Sequence, residues 1–321
     1  MTRRHVFGPV LSRRLGLSLG IDLIPYKTCS YDCVYCECGP TTARTVTRRE
    51  FFPVEEVMAE LRAVLAPRPQ LDSITLAGSG EPTLSLSMGR VIGFLKDEFP
   101  DYTVSVLTNG SLLTEPEVRE ELLLADRVIP TLTTTSQTTF ERIHRPHPGL
   151  EVGAIIEGME RFREEYSGQL WLEVFVIPGL NTSPAELAGL KDAIERIDPD
   201  RVQLNTLDRP SAVGWVRAAP DAELERIGAL LGRPGAGVVR REPPAARVPA
   251  IPAEAGERVR ATLCRRPSTI SDLVLTTGMS GGEVAKVLGV LERAGLVMSE
   301  RRRRGVFYTC RPDDDAAGGG A

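Results

Sequence analysis

The sequence predicts an α/β protein: a parallel sheet of six strands with its crossover helices on one side, followed by a small domain of three helices and a hairpin. Three observations predict it. From residue 17 to about 231, short apolar runs alternate with segments of helical spacing, the pattern of strand–crossover–strand units. Polar and glycine residues gather right after the apolar runs, where a parallel sheet presents its carboxyl ends to a ligand. Beyond residue 256, three helical segments lead to two apolar runs around Arg301-Arg302-Arg303-Arg304-Gly305, which predicts a hairpin with a basic tip.

The first strand spans 17–24 and runs straight into a cluster of cysteines. A helix at 54–65 precedes a strand at 73–77, and a helix at 86–98 leads to a strand at 103–107. The pairs 115–124 with 127–132, 151–166 with 170–177, and 184–196 with 201–207 follow, and the last helix is 221–231. This alternation suits a doubly wound sheet and a partial (β/α)6 barrel alike. In either, the residues to inspect are those after each strand. They are the cysteine loop, Gly78-Ser79-Gly80-Glu81-Pro82, Thr108-Asn109-Gly110, Thr133-Thr134-Thr135-Ser136, Pro178-Gly179-Leu180-Asn181, and Gln203 with Asn205.

With 321 residues, 42% hydrophobic and 26% charged, the chain has an ordinary globular composition and is long enough for one large domain and a small one. A net charge of -4 does not mark a globally basic nucleic-acid binder. The positive N-terminus lacks a clear cleavage site and no stretch reaches membrane-span length, so a cytoplasmic location with no membrane partner is expected. There, clustered cysteines hold metal centres more often than disulfides. Cys264 and Cys310, far from the cluster, are read as buried small hydrophobes.

Four of the six cysteines fall within residues 27–40, and Cys29, Cys33 and Cys36 have the spacing C-x3-C-x2-C with Tyr35 just before the third. Thiolates so close in sequence reach separate irons of one [4Fe–4S] cluster, and three cysteines leave one iron open for another ligand. The competing reading is a zinc knuckle completed by Cys38; zinc sites usually draw two well-separated ligand pairs, and this chain has one.

The C-x3-C-x-aromatic-C loop resembles the signature of the radical S-adenosylmethionine (SAM) enzymes. That resemblance implies a partial (β/α)6 TIM-like barrel, a [4Fe–4S] cluster on Cys29, Cys33 and Cys36, and SAM chelated at the open iron. It further implies reductive cleavage of SAM to a 5′-deoxyadenosyl radical and an electron donor such as flavodoxin or ferredoxin. Cys38 is then a non-ligand neighbour, because a fourth thiolate would close the iron the chemistry needs. Gly78-Ser79-Gly80-Glu81 resembles the family's Gly-Gly-Glu grip on the SAM amino group, with glycines allowing close approach and a carboxylate accepting from an ammonium. Tyr35, Thr108, Asn109 and Asn205 would line the SAM pocket.

Several residues keep two readings. Glu173 faces the ligand or a helix, and Thr133 to Ser136 offer hydroxyls to a ribose or cap the next helix. His144-Arg145-Pro146-His147-Pro148-Gly149 is a connecting turn or an anion contact. Together with Gly8-Pro9-Val10-Leu11-Ser12-Arg13-Arg14-Leu15-Gly16 and Lys27-Thr28-Cys29, that turn resembles a subgroup of radical SAM Fe–S oxidoreductases related to the wyosine-base (4-demethylwyosine) tRNA synthases, over residues 8 to about 210. Two departures stand out: no cysteine precedes Cys29, and Thr133-Thr134-Thr135 stands where the subgroup tends to carry an acid.

The expected organisation is therefore a radical SAM barrel at 1–231, a Pro/Gly-rich linker at 232–256, a second domain at 257–311 and a disordered tail at 312–321. The second domain resembles a winged helix-turn-helix, with helices at 258–266, 269–276 and 280–294 and a core of Ile270, Leu273, Val284, Val287, Leu288 and Leu291. It holds eleven Arg or Lys against five acids. Its wing, Arg301 to Arg304, is read as a phosphate-contacting surface for nucleic acid or as a solvated turn on a protein-contact module. The function expected is a radical SAM enzyme acting on an unidentified substrate, RNA or else a peptide or metabolite. The alternative from another class is an Fe–S redox-sensing DNA-binding regulator.

Overall fold

Side chains alternate between the two faces of a strand, and here the alternation sorts them cleanly. The computed structural model describes residues 5–231, 237–239, 255–302 and 304–311. β1 (Val6–Ser12) and β2 (Gly16–Ile21) form an antiparallel pair at one edge of the main sheet. The short strands β3 (Thr28–Cys29) and β4 (Ala43–Arg44) pair within the cysteine loop. Then come α1 (Val54–Leu65), β5 (Ser73–Leu76), α2 (Met88–Glu98), β6 (Val104–Thr108), α3 (Pro116–Leu122) and β7 (Arg127–Pro130). They are followed by α4 (Gln137–His144), α5 (Val152–Glu165), β8 (Gln169–Phe175), α6 (Pro184–Ile197), β9 (Arg201–Asn205), α7 (Asp221–Leu231) and β10 (Gly237–Val238).

The sheet runs β1-β2-β5-β6-β7-β8-β9-β10, parallel from β2 onward. All six expected strands are present within a few residues of their expected bounds. Its α/β architecture is that of a partial TIM-like barrel. On the helix side, Leu19, Ile21, Ile74, Leu76, Val104, Val106, Val128, Leu172, Val174 and Leu204 are fully buried against the helices. Alternate residues Ser18, Thr75, Ser73 and Ser105 turn to the other face and form a chain of hydroxyl hydrogen bonds of 2.6–3.2 Å. Glu173, Gln203 and Asn205 are buried on that same inner face, so the concave side of the sheet is polar.

β1 was not expected as a strand. Gly8 and Pro9 interrupt its apolar pattern, and the pairing register shifts between Phe7 and Val10, which a proline tolerates only at an edge. Of the expected linker, only 237–239 and 255–256 are among the described residues, and the former add β10 beside β9. The expected tail at 312–321 lies outside them, as does Arg303.

The C-terminal unit comprises α8 (Ala255–Leu263), α9 (Ile270–Thr277), α10 (Gly281–Arg293), and the hairpin of β11 (Val297–Arg302) with β12 (Gly305–Cys310). Capping boxes on Thr269 with Asp272 and Ser280 with Glu283 start α9 and α10, and Gly278 at φ 71° ends α9. Its core holds Leu273, Val284, Leu288 and Leu291 fully buried, with Ile270 and Val287 partly so. One expectation is corrected: Cys264 and Cys310 are not independent small hydrophobes but a disulfide, with Cα atoms 4.6 Å apart. The end of α8 and the end of β12 meet across 46 residues of sequence, a proximity that spacing does not reveal. α8 and α9 pack on β1 of the barrel.

Candidate functional site

The chain leaves β2 and turns under the sheet's carboxyl end, and its path there is pinned by backbone bonds. Lys27 N donates to Ser79 O at 3.0 Å, and Glu81 N donates to Thr28 O at 3.2 Å. Asp32 N and Val34 N donate to the carbonyls of His144 and Ile143 at the end of α4. The cysteine loop is therefore clamped between the turn after β5 and the helix after β7. Glycine is required at the closest approach: a Cβ on Gly80 would lie 2.0 Å from Thr28 O. One on Gly78, at φ +151°, would lie 2.4 Å from Asp22 Cγ.

Glu81 is buried and its carboxylate accepts from Thr83 N, Thr83 Oγ1, Thr108 Oγ1 and Asn109 N at 2.6–3.1 Å. Burial raises its pKa, against the lowering effect of these donors. The carboxylate thus ties the Gly-Ser-Gly-Glu turn to the end of β6. Ser79 turns its hydroxyl away, onto Asp22 Oδ2 at 2.8 Å. Asn109 donates through Nδ2 to Ser30 Oγ at 2.8 Å and to Cys29 Sγ at 3.5 Å. Gly78, Ser79, Gly80, Glu81, Thr108 and Asn109 accordingly meet Cys29 at one end of the sheet.

Tyr35 and Asn205 sit on the far side of the loop. The Tyr35 ring stacks on Phe175 with centroids 4.0 Å apart, so one of its faces is already covered. Asn205 is the register partner of Phe175. Its Nδ2 donates to Glu173 Oε1 at 2.8 Å, and Glu173 also pairs with Arg14. Of the two readings of Glu173 the structure takes the inward one. Burial brings the Arg14 pKa down to about 10. In the Thr133 to Ser136 run the capping reading holds: Ser136 caps α4, accepting from Thr139 N, and Thr134 donates to Glu186.

Two groups on the thiols were not expected. Lys27, buried with φ 56°, places Nζ 3.0 Å from Cys36 Sγ. Burial alone would lower the ammonium's pKa, but the Cys36 thiolate, both by charge and by its hydrogen bond, outweighs it and holds it above its ordinary value. His144, buried at the end of α4, has Nδ1 3.1 Å from Cys33 Sγ and Nε2 2.5 Å from Thr133 Oγ1. Burial presses the His144 pKa down to about 3, so it is neutral. The thiols divide accordingly. A hydrogen bond from Cys38 and the nearby Lys27, opposing burial, bring Cys36 down to about 5, whereas burial and then Glu81 push Cys29 up to about 12.

Cys38 Sγ lies within hydrogen-bond reach of Cys36 and also 2.8 Å from Arg265 O in the C-terminal unit. The Arg265 guanidinium lies 3.5 Å from Asp22 and 4.5 Å over the Phe7 ring. Arg304 pairs with Asp208 and Asp272, and Asp208 N reaches Glu37 of the cysteine loop. Arg302 pairs with Glu300. Among its described residues the expected basic wing is thus tied to the rest of the chain only through Arg304, and Arg301 and Arg302 are exposed.

Residues 23–190 match the model of the Radical SAM superfamily. The chain belongs to that superfamily. Members use a [4Fe–4S] cluster and SAM, and those are the cofactors of this radical SAM protein. It is 38% identical over 231 residues to a UPF0026 protein of Synechocystis, covering 71% of this chain and 82% of that one. It is 41% identical over 223 residues to a protein named GTPase Obg from Brachyspira hyodysenteriae, covering 70% of this chain but 33% of that one. Its fold is similar to a radical SAM methyltransferase from Sphaerobacter thermophilus, with a TM-score of 0.51 and 20% identity over 69% of this chain and 65% of that one. It is similar also to TYW1 with a lysine-pyruvate adduct bound, with a TM-score of 0.51 and 16% identity over 70% and 75%. Among the described residues no helix is long and apolar enough to cross a membrane.

The donor set fits the cluster. Three thiols come from one loop, a buried ammonium stands beside them, and neutral side-chain nitrogens of Asn109 and His144 face the other two sulfurs.

Proposed function

We propose that Cys29, Cys33 and Cys36 hold the cluster and that this radical SAM enzyme cleaves SAM reductively to act on a substrate at the carboxyl end of the barrel. One observation carries this reading: the loop that bears the three thiols follows the first parallel strand, and its Lys27 and Thr28 lie directly against the Gly78-Ser79-Gly80-Glu81 turn after the second. When bound, the cluster supplies an electron that breaks a carbon–sulfur bond of SAM, giving a 5′-deoxyadenosyl radical able to abstract hydrogen.

The protein's part is positioning. Gly80 lets the turn lie against Thr28, Asp22 fixes Ser79, and Glu81 fixes Thr108 and Asn109. In this reading the backbone of Gly78, Ser79 and Gly80 and the side chains of Thr108 and Asn109 form the methionine end of the SAM site. Tyr35 and Asn205 bound its other side, with Glu173 and Gln203 deeper on the polar inner face. A flavodoxin or ferredoxin supplies the electron. The test is anaerobic reconstitution followed by dithionite and SAM. 5′-Deoxyadenosine is expected, and its absence from protein with an EPR-verified cluster would defeat the reading.

Of the substrate classes, a peptide or small metabolite is favoured over RNA, because Arg304 of the wing is engaged by Asp208 and Asp272 of this chain. The C-terminal unit, read as a winged helix-turn-helix, then serves as a cover for the site.

A further inference from the structure

Resting on the assignment of Cys29, Cys33 and Cys36 as cluster ligands, we propose that Lys27 and His144 raise the cluster's reduction potential through N–H···S hydrogen bonds to Cys36 and Cys33.

The geometry at Lys27 is built. A lysine only 2% exposed requires a partner, and among the described residues no carboxylate pairs with it; its Nζ is aimed at Cys36 Sγ, 3.0 Å away. Its backbone is held on both sides, since its N–H donates to Ser79 O and its carbonyl accepts from Thr42 N and Ala43 N. The left-handed φ of 56°, uncommon for a side-chain-bearing residue, sets where the side chain starts. At Cys33 the orientation comes from the other end of the imidazole. We assign the tautomer in which the Thr133 hydroxyl donates to Nε2, so that Nδ1 carries the proton and donates to Cys33 Sγ. Asn109 offers Cys29 a longer contact of 3.5 Å while donating to Ser30 at 2.8 Å. Each of the three sulfurs thus faces a nitrogen donor from a different part of the chain.

The reaction concerned is the uptake of one electron from an external one-electron donor, taking the cluster from the 2+ to the 1+ level with no bond made or broken. The added negative charge spreads onto the sulfurs, so donors and a fixed ammonium beside them stabilise the reduced form more than the oxidised one. Hydrogen bonds to sulfur and local charge are among the terms that set such potentials. Burial keeps water from screening them. Lys27 and His144 are positioning and tuning residues in this sense; neither needs to touch SAM.

The experiment is an EPR-monitored redox titration of the anaerobically reconstituted full-length chain without SAM, with iron and sulfide counted on each sample. Lys27→Met and His144→Phe are expected to bind wild-type amounts of iron and to titrate at lower potential. Lys27→Arg and His144→Gln, which keep a donor, are expected to stay nearer the wild type. A tenfold loss of reduced cluster at fixed potential corresponds to about 59 mV for one electron. Loaded Met and Phe variants with the wild-type midpoint would overturn the inference. So would loss of iron from all four variants, which would make these residues builders of the loop instead. A wild-type chain that takes up no cluster defeats the cluster reading itself, whereas loaded variants with unmoved midpoints defeat only the tuning.

Discussion

Cys38 lies two residues after a proposed ligand and close enough to be mistaken for one. Its Sγ donates to Arg265 O at 2.8 Å and faces Gly78 O at 3.8 Å, while Tyr26 Oη holds its carbonyl. Its hydrogen bond to Cys36 and its burial push the Cys38 thiol's pKa well up, so it keeps its proton and serves its neighbours as a donor rather than the cluster as a ligand. Cys38→Ala should therefore retain the wild-type iron content and 5′-deoxyadenosine yield, and Cys36→Ala should lose the cluster; iron and sulfide analysis with the near-ultraviolet absorbance checks both. At this scale the thiols and the Gly-Ser-Gly-Glu turn were legible from spacing. Lys27 and His144 were not, because nothing local says that a side chain nine or 111 residues away will meet a given sulfur.

Between elements, the decisive contact is the turn after β5 against the loop after β2. Gly80 is where the two backbones touch, and a Cβ there would lie 2.0 Å from a carbonyl oxygen and 2.7 Å from Ile24 Cγ2. Backbone cannot step aside as a flexible side chain can, so Gly80→Ala should destabilise the chain by about 1–3 kcal/mol. It should also lower cluster occupancy at a given iron concentration, read by urea titration and iron analysis; a variant matching the wild type in both would refute the close-approach argument. The strands and helices themselves were readable because the helix-facing residues from Leu19 to Leu204 recur every second position and the helices bury a stripe such as Val54, Val57, Leu61 and Leu65. β1 escaped because Gly8 and Pro9 break that alternation and its partner, β2, supplies the pairing.

For the molecule as a whole, the C-terminal unit is attached beside the site. Arg265, little exposed, faces the buried Asp22, and Asp22 in turn holds Ser79 by its N–H and hydroxyl. Removing one partner of a buried charge pair typically costs on the order of 3 kcal/mol. Arg265→Ala should accordingly speed amide exchange in Val6–Ser12, the strand on which α8 and α9 rest, and lower the urea midpoint. Unchanged protection of that strand by hydrogen-exchange mass spectrometry would show that Arg265 does not hold the unit in place.

The sequence by itself determined the α/β class, the order of strands and helices, the three clustered thiols and the glycine turn, since each is written in local periodicity or short spacing. Only the tertiary structure decided that Glu81 is saturated by Thr83, Thr108 and Asn109, that Glu173 faces inward toward Arg14 and Asn205, and that Cys264 joins Cys310. It likewise placed Lys27 and His144 on the sulfurs. The physical reason is common to all of these. Hydrogen bonds, charge pairs and disulfides act over a few ångströms, and which groups come that close is fixed by how the strands close on one another rather than by their order along the chain.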